Sequence, residues 1–363
     1  MREIIVRLGK SSYPIKIGRG ILKKTGPLIS RMRLGKDAII ITNAEINRLY
    51  GHILKNSLKK GGISAHTEIV ADSEASKSHK TFFGVINNIA RADKGKKPFI
   101  VALGGGVVGD LAGFVAAVYR RGVPFVQIPT TLLAQVDSSI GGKAAIDTPL
   151  AKNLVGVFYQ PRIVIADTAV LKTLPEREIA CGLSEIIKYA VISSCSFFDF
   201  LDRNILSLKK LEQDKLEYVI KKCCEIKAKI VRRDEKDVKG VRAILNYGHT
   251  IGHAIETAGG YGKRYNHGEA VAMGMIAAAI LSNKRGVLSG KELSRIKDLI
   301  RKAGLPTKIK GIQFSRIWEA QLHDKKFARG INAFVLPAKI GKAVIAKNVP
   351  PDLVRAAIKE IMA

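Results

Sequence analysis

Three of the chain's seven histidines fall between residues 249 and 267, in Asn246-Tyr-Gly-His-Thr-Ile-Gly-His-Ala and in Asn266-His-Gly-Glu-Ala. His249 and His253 are four apart, so on a helix they leave one face and can share a metal or divide metal and proton duties. His267 follows, just ahead of another helical stretch. Two imidazoles call for a carboxylate to complete a metal site that leaves one position open for substrate. Glu185, in Cys181-Gly-Leu-Ser-Glu-Ile-Ile-Lys-Tyr, is the best candidate. It also lies three residues before Lys188, the spacing of an ordinary helical ion pair, and spacing alone does not choose between the two roles.

A second cluster suits anions. Gly104, Gly105 and Gly106 follow the apolar run Phe99–Leu103, and Gly109 opens a helical pattern. Backbone N–H groups in such a turn approach phosphate oxygens, and the helix N-terminus adds partial positive charge. The spacing departs from G-x-G-x-x-G, and no acidic residue follows about 20 residues later, so a different nucleotide-binding geometry is expected. Asp137-Ser-Ser-Ile-Gly-Gly-Lys143 and Lys152-Asn153 put small polar residues and lysines in further loops, where ligands are commonly held. Lys227, Arg242 and the pair Lys325-Lys326 are additional cationic candidates that spacing does not rank.

The elements that must position these groups divide the chain. Up to about residue 165, short apolar runs (Ile4–Leu8, Ala38–Thr42, Thr67–Val70, Phe99–Leu103, Phe125–Ile128, Ile163–Ala166) alternate with helical stretches such as Glu45–Lys60 and Lys80–Arg91. That order predicts a parallel sheet covered by helices. Beyond Lys172 the pattern turns to longer helical periodicity, over Glu178–Ser193, Glu212–Val231, Thr250–Thr257 and Glu269–Lys284. The boundary is expected near Asp167–Pro175, giving domains 1–170 and 171–363.

Composition is that of a globular protein, 47% apolar and 25% charged. The 61 Lys and Arg against 31 Asp and Glu give a formal +30. The basic residues spread over nearly every polar face without a reader motif, which argues against nucleic-acid binding and leaves room for a basic cleft that draws in anionic substrates. The four cysteines form no C-x-x-C pair and sit among apolar residues, which suits reduced thiols. The N-terminus lacks the apolar core of a signal peptide, and the run Phe99–Tyr119 is broken by Asp110 and five glycines. A cytoplasmic protein with no membrane span is expected.

Taken together, Gly-Gly-Gly-Val-Val-Gly-Asp-Leu-Ala-Gly-Phe at 104–114, Tyr-Arg-Arg-Gly at 119–122, Pro-Thr-Thr-Leu-Leu-Ala-Gln-Val-Asp-Ser-Ser-Ile-Gly-Gly-Lys at 129–143, Lys152-Asn153, Leu174-Pro175, Gly-Leu-Ser-Glu-Ile-Ile-Lys at 182–188, the histidine stretch at 246–254 and His-Gly-Glu-Ala-Val at 267–271 resemble the 3-dehydroquinate synthases. The motifs run nearly end to end, in the family's order. The resemblance implies an α/β N-terminal Rossmann-like NAD-binding domain, a mainly α-helical metal-binding domain, and a homodimer with its active site in the cleft between domains. It implies NAD and one divalent metal, zinc or cobalt, as cofactors. The implied reaction takes 3-deoxy-D-arabino-heptulosonate 7-phosphate to 3-dehydroquinate and phosphate, in aromatic amino acid biosynthesis. It proceeds by transient oxidation, phosphate elimination, reduction and aldol closure.

By the same resemblance, Glu185, His249 and His267 match metal ligands and His253 the catalytic histidine. Lys143, Asn153, Lys188, Lys227, Arg242 and Asn246 match substrate-holding residues, Asp137 lines that pocket, and Arg121 matches an arginine reaching the neighbouring subunit's phosphate site. Glu74, Lys77, Gly105, Gly106, Asp110, Thr130, Thr131, Lys143, Lys152 and Thr173 match NAD contacts. Two positions depart from the family pattern: Asn43 stands where Asp is usual, and Ala333 where a basic residue precedes Phe-Val-Leu. The nearest alternatives are another sugar phosphate cyclase, which closes a different ring, and a metal-dependent polyol dehydrogenase, which would accumulate NADH.

Overall fold

The computed structural model describes residues 1–93, 97–260, 262–322 and 332–363. In chain order its strands are β1 (Arg2–Val6), β2 (Tyr13–Gly18), β3 (Asp37–Asn43), β4 (Ser64–Val70), β5 (Pro98–Gly104), β6 (Phe125–Pro129), β7 (Lys143–Ile146), β8 (Val155–Phe158), β9 (Ile163–Asp167), β10 (Ala333–Lys339) and β11 (Lys342–Lys347). The helices are α1 (Thr25–Arg31), α2 (Ala44–Ile46), α3 (His52–Lys60), α4 (His79–Ala92), α5 (Gly106–Val118), α6 (Glu176–Ser193), α7 (Cys195–Lys209), α8 (Gln213–Arg233), α9 (His249–Ala258), α10 (His267–Lys284), α11 (Gly290–Lys302), α12 (Phe314–Leu322) and α13 (Pro351–Glu360). Two compact units result: Met1–Leu174 with Leu216–Lys236, and Pro175–Lys215 with Asp237–Ala363. The difference from a single cut at 170/171 is that most of α8 groups with the first unit.

In the first unit a seven-stranded sheet has the order β1-β2-β9-β6-β5-β3-β4, parallel except for the β1–β2 pair. Strands β5, β6 and β9 are buried along their whole length, as a sheet covered on both faces requires. The period-2 alternation of side chains feeds two separate cores. Ile39, Ile41, Ile100 and Ala102 meet Phe82, Val85 and Ile89 of α4 and Leu111, Ala112 and Val115 of α5 on one face. Ala38, Ile40, Phe99, Val101 and Leu103 meet Ile29 of α1 and Leu54 and Leu58 of α3 on the other. Each such large side chain contributes about 1.5–3 kcal/mol on burial. The chain order reverses between β3 and β5, with β4 on one side and β6 on the other. The carboxyl ends of strands at such a switch point form the crevice where open α/β sheets take nucleotides.

Several local features differ from the sequence expectation. The N-terminal stretch forms two antiparallel strands joined by a turn at Gly9–Ser11, where one strand, Ile4–Leu8, was expected. The helical stretch Glu45–Lys60 is interrupted by a π-helical turn at Asn47–Gly51. The second unit, expected to be mainly α, also carries the hairpin β10–β11.

The second unit is built around α10. From Ala270 to Ser282 every residue of this helix is buried, the pattern of a helix surrounded by protein on all sides. α6 is likewise buried from Cys181 to Ile192, charged residues included. α9 packs tightly on α10: a Cβ at Gly274 would lie 2.0 Å from the carbonyl oxygen of Gly248, a distance only glycine permits. Among the described residues, no helix is long and apolar enough to cross a membrane.

Candidate functional site

Glu185 sits mid-helix in α6 with no solvent exposure, a position where a carboxylate must be matched by cations or donors. Lys188, one turn on and equally buried, pairs with its Oε2. The other oxygen, Oε1, faces two imidazoles, His249 Nε2 at 3.5 Å and His267 Nε2 at 3.7 Å. One oxygen of the carboxylate thus serves an ion pair on its own helix, and the other faces the imidazoles.

His249 and His267 are the first residues of α9 and α10. The start of α10 is fixed by a capping box in which Asn266 and Glu269 bond reciprocally, and Arg177 of α6 holds Glu269 at 2.6 and 2.8 Å. Cys181 of α6 accepts the Gly268 N–H at 3.3 Å, and a Cβ at Gly268 would fall 2.5 Å from Cys181 Cα. These contacts set the separation between the helix bearing Glu185 and the turn bearing His267.

Hydrogen bonding sets how each ring faces Glu185. His249 Nδ1 lies 3.0 Å from the carbonyl of Tyr247, which can only accept, so Nδ1 carries the proton and Nε2 the lone pair. Burial, opposed by Glu185, pulls its pKa down to about 3 and keeps the ring neutral. Burial also works against charge on His267, but hydrogen bonds and charge from Glu185 and Glu256 outweigh it and hold that pKa up at about 9. Ligands about 2.0–2.1 Å from a tetrahedral ion lie about 3.4 Å apart, close to the spacing seen here. All three ligand atoms fall within 4.8 Å of one another. Two nitrogens and one oxygen, with Glu185 fully buried and His267 partly exposed, fit a zinc- or cobalt-class ion.

His253 is exposed on α9, its ring 5.4 Å from that of His249 and 6.2 Å from that of His267. It stands beside the cluster without joining the ligand set. Arg242 and Asn246 share the short helix Val241–Asn246 that leads into α9, with Arg242 buried.

In the first unit, Gly105 caps α5 and Gly106 begins it, so the α5 N-terminus opens at the β5 end of the switch point. Thr130 N–H donates to Gly104 O at 2.9 Å, and Thr131 Oγ1 accepts from Ala134 N at 3.1 Å, which ties the β6 loop to the glycine turn. Lys77, 4% exposed, contacts Asp110 at 2.8 Å, Glu74 at 3.7 Å and the side chain of Asn153. Burial pushes the Asp110 carboxyl pKa up against the pull of Lys77. Lys152 reaches Glu74 at 3.8 Å, and Thr173 bonds the Tyr50 hydroxyl at 2.6 Å. Lys227 of α8 pairs with Asp137 through both its side chain and its carbonyl. Lys143 and Arg121 are exposed, and Arg121 follows Arg120 in left-handed backbone at φ 62° and 49° respectively. Asn43 spends its side chain on Ile46 N and on Asp72 Oδ1, both at 2.8 Å, which sets a carboxylate beside the position where the family has Asp. Ala333 begins β10 opposite Lys347. Lys325 and Lys326 lie outside the described residues.

Sequence reasoning passed over Glu256, Arg177 and Cys181. For Glu256 a signal existed: it is three residues after His253 and seven after His249, on the same helical face.

Residues 67–181 match the 3-dehydroquinate synthase N-terminal family and residues 182–327 the 3-dehydroquinate synthase C-terminal family. The chain is 48% identical over 350 residues to a 3-dehydroquinate synthase of Desulforamulus reducens, covering 96% of this chain and 97% of that one. Among solved structures, it is similar to 2-deoxy-scyllo-inosose synthase complexed with carbaglucose-6-phosphate, NAD+ and Co2+, at a TM-score of 0.89 and 27% identity over 99% of both chains. It is also similar to 2-epi-5-epi-valiolone synthase from Streptomyces hygroscopicus with NAD+ and Zn2+ bound, at 0.87 and 26% over 98% of both. On these matches the chain belongs to the 3-dehydroquinate synthase family.

Proposed function

We propose that this chain converts 3-deoxy-D-arabino-heptulosonate 7-phosphate to 3-dehydroquinate and inorganic phosphate, with NAD used catalytically and one zinc or cobalt ion. The observation that carries this reading is the convergence of Glu185, His249 and His267 in a chain of this family. When bound, NAD supplies a transient hydride acceptor and the divalent ion a Lewis acid at a substrate oxygen.

The chain's own residues do the rest. Glu185, His249 and His267 hold the ion. His253, exposed beside them, holds and returns a proton at the reacting hydroxyl. As the resemblance implies, Lys143, Asn153, Lys188, Lys227, Arg242 and Asn246 serve the substrate's carboxylate, hydroxyls and phosphate, with Asp137 fixing Lys227. Charge-assisted hydrogen bonds from these groups stabilise the leaving phosphate dianion. The N–H groups at Gly105 and Gly106 take the NAD pyrophosphate at the α5 N-terminus. Glu74, Lys77, Asp110, Thr130, Thr131, Lys152 and Thr173 surround the rest of the cofactor. Arg121 serves a neighbouring subunit in a homodimer, its exposed side chain carried on strained backbone. The free thiols of Cys181, Cys223 and Cys224 are buried, which supports a reducing, cytoplasmic setting.

The test is phosphate release from this substrate by metal-loaded protein with substoichiometric NAD, followed together with NADH absorbance. Many turnovers of phosphate without NADH build-up, abolished by chelator, are expected. No release despite bound NAD and metal would overturn the substrate and point to a sister cyclase. Net NADH production would point to a polyol dehydrogenase.

A further inference from the structure

The two imidazoles facing Glu185 are oriented in different ways. His249, the less exposed ring at 12%, is fixed by a main-chain carbonyl, that of Tyr247, whose phenol is itself buried and bonded to Met275 O at 3.0 Å. His267 is 32% exposed and begins its helix, so backbone alone leaves its ring free to turn. What meets it is a side chain: Glu256 Oε2 lies 3.2 Å from His267 Nδ1. Glu256 is 9% exposed and comes from α9, the helix that also carries His249 and His253. No role attaches to it from the resemblance or from the ligand cluster.

We propose that Glu256 is a positioning residue for the metal centre, accepting the Nδ1 proton of His267 and thereby aiming Nε2 at the space shared with Glu185 Oε1, where a bound ion would take the place of the Nε2 proton. A carboxylate can only accept here, so this contact selects one tautomer, and its negative charge makes the ring a stronger donor to a cation. One face of α9 therefore supplies a ligand, a proton-holding group and the orienter of the ligand on α10. The inference rests on the reading of Glu185, His249 and His267 as a metal centre.

The test is Co2+ titration of the full-length protein and of its E256Q, E256L and E185Q variants, followed by the visible d–d absorption of the bound ion, with thermal midpoint and NAD binding measured alongside. Partners that orient a ligand typically account for 10- to 100-fold in metal affinity, so E256L is expected near a 100-fold loss and E256Q, which keeps an acceptor, near 10-fold. The d–d bands should shift in both, and NAD binding should not change. E256Q alone decides the matter if E256L fails to fold. Co2+ affinity and spectrum equal to the parent in E256Q overturn the proposal while leaving the metal centre intact. A parent that binds Co2+ no better than E185Q removes the metal centre, and the proposal with it.

Discussion

The two units handle buried charge differently. In the first, Lys77 collects Asp110 of α5, Glu74 and the Asn153 side chain from segments that follow different strands, and its acidic partners stay partly open, Asp110 at 24% and Glu74 at 41% exposed. In the second, Glu185 and Lys188 lie on one helix at 0% and 2% exposure, and the two histidines facing them start two further helices. Half-open pairs are screened and can be exchanged for pairs with a ligand. Fully buried charges on rigid helices hold their geometry whether or not substrate is present. The first arrangement suits a cofactor that must be admitted, and the second suits an ion that must stay.

Substitutions can break this contrast, and the largest effect is expected in the second unit. Glu185→Gln should lose stoichiometric zinc or cobalt and lower kcat by about a thousand-fold or more, with NAD binding unchanged, by metal analysis and phosphate release. Retained metal in that variant would remove the distinction. Gly274→Ala forces a methyl group onto the Gly248 carbonyl and should destabilise the protein by about 3 kcal/mol in urea unfolding while weakening metal retention through α9. Lys77→Met leaves Asp110 without its main cation. Because Asp110 is partly exposed, about 2 kcal/mol is expected rather than the full cost of a buried orphan, with weaker NAD binding and unchanged metal content.

The smallest effect concerns the α10 cap. Burial alone would raise the Glu269 carboxyl pKa, but Arg177 and the Asn266 N–H hold it below its ordinary 4.5. A depressed folded-state value stabilises above pH 4.5 and is lost as pH falls through the folded value. Glu269→Gln should therefore cost about 1 kcal/mol at pH 7, and the gap from the parent should narrow below pH 4.5 in pH-dependent unfolding.

What sequence revealed follows the same contrast. Strands buried on both faces, such as Pro98–Gly104, stand out as unbroken apolar runs, and the helices carrying the histidines announce themselves by spacing. The hairpins β7–β8 and β10–β11 did not: β8 is mostly exposed and β10 ends in a bulge, so neither has a clean period. The amphipathic α8 declared a buried face through Leu216, Val219, Ile220 and Cys223, but an apolar face does not say which neighbour covers it. In the site, the histidines were legible because clustered imidazoles have few structural uses. Glu185 was ambiguous because its two oxygens serve different partners, and Glu256 was hidden because a glutamate on a helix ordinarily reads as solvated surface.

The central claim is that Glu185, His249 and His267 hold the working ion, and X-ray absorption at the metal edge of cobalt-loaded protein tests it most directly. Two imidazole nitrogens and a carboxylate oxygen at about 2.0–2.2 Å are predicted, with the imidazole scattering reduced from two rings to one in His249→Ala. A sulfur scatterer, or a shell of oxygens unchanged by that substitution, would contradict it.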